Sequence, residues 1–186
     1  MSHFEYLMVM VSIILGLGAT QALRGLSKLA RSHRPFLPVA LWGATLFYLN
    51  IQIWWGYWDM ADVASWTQLT YYIIVLLPCA LFAAIELLMP IGAGADTDWE
   101  KHYFSIRPWF FGVLITFQTV ATLASYIIND VPLTHPYRII QAGVIAVAVV
   151  GLFTSRPRAH IWISGAYMTI MLVGQVLYRM GPKLAS

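Results

Sequence analysis

The sequence predicts an all-α integral membrane protein, a bundle of six transmembrane helices forming a single domain over 1–186 with no soluble part. Three observations predict it. Of the 186 residues 60% are hydrophobic and only 10% are charged, with a mean hydropathy of +0.70. A soluble domain carries roughly 25% charged residues, so these few could not cover a surface facing water. The apolar residues also gather into six runs near the length of about 20 that a bilayer core requires. Finally, the runs are continuous and do not alternate, which selects helices over barrel strands.

The first run, 4–26, follows "MSHFEY". That lead lacks a basic n-region and the run is too long for a signal-peptide core, so it reads as a retained span. Ser12, Gly16 and Thr20 recur at four-residue spacing within it, with Gly18 and Ala22 as a second small pair. Such rows let helices approach closely and predict a packing face, inside the bundle or between copies in a homo-oligomer. Its "GLG" lacks the strand and further glycine of a dinucleotide fingerprint.

Pro35 and Pro38 open the second run, 36–58, which ends in "NIQIWWGYWDMADVASW". Trp54, Trp55, Tyr57, Trp58 and Trp66 mark the interface with the headgroups, where an apolar ring with a polar edge is at home. The third run, 67–90, carries Pro78 in its middle and stops at Pro90 before "IGAGAD". Pro108 stands where a first-turn proline belongs and so predicts that the fourth run begins there, over 108–129. The linker before it, 91–107, then has room for one short surface helix. Runs five and six are 137–154, the shortest, and 160–180, closed by Gly181 and Pro182.

Lysine and arginine set the orientation. Arg24, Lys28, Arg31, Arg34, Lys101, Arg107, Arg156 and Arg158 fall at the odd-numbered linkers and adjoining helix ends, whereas Arg138, Arg179 and Lys183 fall on the other side. Eight against three predicts odd linkers in the cytoplasm and both termini on the non-cytoplasmic side, in a bacterial inner membrane. The formal charge of +3 reflects this topology, and nucleic acid is not an expected partner. The expected partner is the lipid bilayer.

Polar groups inside a membrane are costly and usually face the bundle interior, so they carry the functional information. Glu86, in "LFAAIELLMP", is the candidate titrating or gating group, with Arg24 or Arg107 as its counter-ion. Gln118, Thr122, Ser125 and Asn129 stay on one face of the fourth span. Asn50, Gln52 and Asp59 from the second span join Gln141, Gln175, Arg179 and Glu5 in the same outer half. Two readings stand for them: amides and hydroxyls that join helices through interhelical hydrogen bonds, or a vestibule leading past Gln118 towards Glu86 and Arg24.

Sharper chemistries find no support. The single cysteine, Cys79, excludes a disulfide framework. His3, His33, His102, His135 and His160 all fall in linkers or at run ends, which disfavours intramembrane haem ligation. Asp96, Asp98 and Glu100 in "DTDWEKH" read as a solvated acidic linker more readily than as a metal site. No HExxH, P-loop, nucleophile elbow or potassium-filter sequence occurs. No cofactor, metal or enzyme activity is therefore expected. The expected function is a channel-like or transporter-like protein for an ion or small solute. The competing reading is a non-transporting accessory or scaffold subunit, or a lipid-binding sensor, of a larger membrane complex.

Overall fold

The computed structural model describes residues 3–58, 67–128 and 130–178, and among these it contains six α-helices and no strand. They are α1 (His3–Ala30), α2 (Leu37–Trp58), α3 (Gln68–Leu88), α4 (Trp99–Ile127), α5 (Tyr137–Phe153) and α6 (Pro157–Tyr178). Five are long and apolar enough to cross a membrane, consistent with an integral membrane protein. The exception is α5, whose 17 residues sit at the lower limit of about 17 that a bilayer requires.

Helix limits follow local chemistry. The Thr67 side chain accepts from the Thr70 N–H at 3.2 Å and starts α3. Asp98 does the same for Lys101 at 3.0 Å and starts α4. This second cap moves the helix start nine residues ahead of the expected Pro108, so no separate surface helix occupies the linker. Trp99, Tyr103 and Phe110 lie on one buried face of α4, which holds the added turns against the core. Pro108, exposed inside the helix, gives up one backbone hydrogen bond without ending it.

The helices close into a ring in the order α1, α2, α6, α5, α4, α3, and an α2–α3 contact divides that ring into two compartments. The smaller compartment, α1–α2–α3, is closed by glycines. A Cβ on Gly18 would lie 2.8 Å from Asn50 Nδ2, while Gly25 and Gly43 both rest against Met89. Near the start of α1, Leu7, Val11 and Leu15 pack with Tyr57 and Ile74. The row formed by Gly18 and Ala22 is buried within this compartment, whereas Gly16 and Thr20 of the other row are exposed and Ser12 is partly so.

The larger compartment is bounded by α2, α3, α4, α5 and α6. It differs from end to end. Towards the connections α1–α2, α3–α4 and α5–α6 it is filled with aromatic rings. Trp42 meets Phe110, Phe111 and Tyr167 edge-on, with centroids 5.4, 5.5 and 4.9 Å apart, and none of the four is exposed. Lipid tails are as apolar as these rings, so it is their close fit and edge-to-face geometry that hold the helices together here. Towards the opposite end, the compartment is hollow.

Candidate functional site

The hollow end is a pocket of about 140 Å³ lined from all five helices. Its apolar floor includes Leu49, Leu77, Phe117 and Met171, and its polar wall includes Gln52, Gln118, Gln141 and Gln175. Each glutamine comes from a different helix: α2, α4, α5 and α6. Tyr48, Tyr57, Ser125 and Tyr137 complete the polar lining, and among the described residues no ionised side chain takes part. Four of the residues expected to form an outer vestibule are thus brought together, and Ser125 of the fourth-span stripe joins them.

Hydrogen bonding fixes part of this wall and leaves part of it free. Arg138, at the start of α5, donates from Nη1 to Gln141 Oε1 at 2.7 Å and to Ser125 Oγ at 2.6 Å. It also donates to the backbone oxygen of Thr122 on α4 and to those of Val131 and Pro132 in the connection to α5. Its charge is spent on structure at the pocket rim. The clamp turns Gln141 Oε1 away from duty, and no hydrogen bond to its Nε2 occurs among the described residues. Nor does any reach the amide of Gln118, which is only 5% exposed. Gln52 Oε1 is buried without a partner. A buried polar atom left unpaired costs about 1–3 kcal/mol, and Gln52 Oε1 is such an atom in this wall.

The remaining expected site residues lie elsewhere. Asn50 is buried against Gly18 in the smaller compartment. Glu86 is partly buried near the end of α3, outside the pocket, and no ion pair joins it to Arg24 or Arg107. Arg24 is exposed, and Arg107 donates instead to Thr154 O and Ser155 Oγ. Glu5 is exposed near the start of α1. Asp59, Trp66, Asn129 and Arg179 lie outside the described residues. Trp54, Trp55 and Trp58 are exposed on α2, where lipid can reach them. Tyr57 is 2% exposed and donates to Ile74 O at 2.6 Å, so it packs the bundle and borders the pocket. The acidic linker holds no cluster of three metal-ligating side chains among the described residues. Its Asp98 caps α4 and pairs with Arg34 at 3.7 Å.

One polar constellation has no signal in the sequence. His160, fully buried at the start of α6, meets the Tyr103 hydroxyl through Nδ1 at 2.8 Å and Thr154 O through Nε2 at 3.0 Å. A carbonyl only accepts, so Nε2 carries the proton and Nδ1 accepts from Tyr103. The Tyr103 oxygen in turn accepts from Trp42 Nε1 at 3.2 Å. Every polar atom of this chain is satisfied, so it reads as a pin between α2, α4 and α6 beneath the aromatic plug. The residues lie 57 and 61 positions apart, too far for any local pattern to link them.

Comparison with protein-family models, with curated proteins and with solved structures finds no match.

Proposed function

We propose that this protein is a transporter-like membrane protein of the bacterial inner membrane that binds a small uncharged solute in the glutamine-lined pocket. The observation that carries the reading is the convergence of Gln52, Gln118, Gln141 and Gln175 from four helices on one cavity. A cavity of about 150 Å³ accepts a benzene-sized molecule, so the pocket's size favours an occupant of a few heavy atoms. Among the described residues no charged side chain lines it, which favours a neutral occupant over a bare ion, since buried amides supply both donors and acceptors but no compensating charge. With basic residues concentrated at the odd linkers, the pocket faces the non-cytoplasmic side. The aromatic plug below it favours alternating access over an open channel. The same dead end favours a second reading, a sensor that binds its ligand without passing it on.

Proteoliposome uptake and equilibrium binding of urea, acetamide and glycerol test the proposal, with potassium and proton flux measured alongside. Wild type should bind and take up at least one of the three, and Gln118→Leu should weaken binding at least ten-fold, because an amide-matched ligand loses its partner. Glu86→Gln, outside the pocket, should leave binding unchanged. Binding without uptake would select the sensor. Ion flux without solute binding, or no response to any probe, would overturn the proposal.

A further inference from the structure

The opposite end of the molecule carries a second concavity, built on positive charge. Arg24 and Lys28 lie one turn apart on α1, and Arg31 follows in the turn that ends it, where its N–H donates to Lys28 O at 3.2 Å. With Ser27 they form one wall of a groove of about 410 Å³ whose other wall is the backbone at Gly94 and Ala95. That second wall is tied down at several points. Gln21 Nε2 donates to Met89 O at 2.6 Å, Lys28 Nζ donates to Ile91 O, and the His33 N–H donates to Ala95 O at 3.1 Å. Ser32 Oγ donates to the same Ala95 oxygen at 3.1 Å. The groove is therefore held open by the fold.

Its cations are poorly occupied. Arg24 makes no hydrogen bond or ion pair among the described residues. Arg31 donates only to Ser27 Oγ, and Lys28 retains two of its three N–H donors. Among the described residues no carboxylate lines the groove. Helix ends at this depth meet lipid headgroups, and basic pockets between helices there hold phosphate groups.

We propose that this groove binds a phosphate group, with Arg24 and Arg31 as its bidentate ligands and Lys28 as a point charge beside them. A guanidinium fork matches two phosphate oxygens. The phosphate of an anionic lipid headgroup and free inorganic phosphate share this chemistry, and the experiment separates them.

Purified protein in neutral detergent is titrated with phosphatidylglycerol, phosphatidylcholine or inorganic phosphate, and read by native mass spectrometry and thermal melting. Phosphatidylglycerol should bind and raise the melting temperature, whereas phosphatidylcholine should do neither. Arg24→Gln and Arg31→Gln should each weaken binding about five-fold, the worth of one basic residue near an anionic headgroup. A control, Arg156→Gln, removes the same single charge from another linker and should leave affinity unchanged. Both target arginines are exposed, so the variants should melt as wild type does without ligand. If Arg31→Gln disturbs folding through Ser27, Arg24→Gln alone decides. Binding of phosphatidylglycerol alone identifies a lipid site, and binding of inorganic phosphate as well identifies the phosphate group itself as the ligand. No binding, or equal loss in the control, overturns the proposal.

Discussion

Replacing Tyr103 by phenylalanine removes one oxygen from the buried pin and strands two partners, because that oxygen accepts from Trp42 and donates to His160. Both stranded side chains are fully buried, so water cannot take over. Interhelical hydrogen bonds in membrane proteins average about 0.6 kcal/mol and reach about 1.7. Two of them give a loss between about 1.2 and 3.4 kcal/mol. Tyr167 supplies an internal control: it is equally buried, packs against the same Trp42, and its hydroxyl has no partner. Tyr167→Phe deletes the same atom and breaks nothing, so stability should hold or rise by up to about 1 kcal/mol as an unpaired buried group disappears. Reversible unfolding of both variants in mixed micelles, followed by circular dichroism, reads the difference. Equal losses in the two variants, or a neutral Tyr103→Phe, would refute the assignment of the pin.

Three further outcomes follow from the packing, the caps and the topology. A Cβ on Gly151 would overlap the buried Phe111 ring, while Gly16 has nothing within 4 Å. Gly151→Ala should therefore cost about 1–3 kcal/mol in the same unfolding assay, and Gly16→Ala should cost nothing. Asp98→Ala removes the α4 cap and should lower stability by about 1 kcal/mol, with faster amide exchange confined to residues 99–103. In a Cys79→Ala background, cysteines at Thr134 and Ser155, both exposed, should react with impermeant maleimide from opposite faces of sealed vesicles. Labelling of both from one face would show that α5 does not cross.

Most of the fold was legible because lipid imposes a coarse rule, about 20 apolar residues per crossing, and prolines and glycines punctuate the runs. The rule failed where a polar segment is helical for a local reason. "DTDWEKHYFSIR" reads as a linker by composition, yet Asp98 caps it and Trp99 and Tyr103 anchor it. Four glutamines of the pocket were legible from their shared depth and lack of charge. Depth does not give the direction a residue faces. Asn50, two positions from Gln52, points to a different compartment, and Tyr57 turns inward beside outward-facing tryptophans. Glu86 stood out as an isolated carboxylate, but its isolation carried no information about which cavity it would join. His160 stands at a run end in the sequence, and no local pattern marks its buried pairing because Tyr103 and Trp42 arrive from distant helices.

The short α5 is fastened at both extremities. Arg138 grips the end of α4 at one, and Arg107 and His160 both reach Thr154 O at the other. At 1.5 Å per residue its 17 residues measure about 26 Å, several ångströms less than a typical hydrocarbon slab of about 30 Å. Neither extremity is free to slide and make up the shortfall. Where α5 crosses a bilayer, lipid alongside this strut has to draw inward, so the acyl chains beside this wall of the hollow would span less than the typical slab.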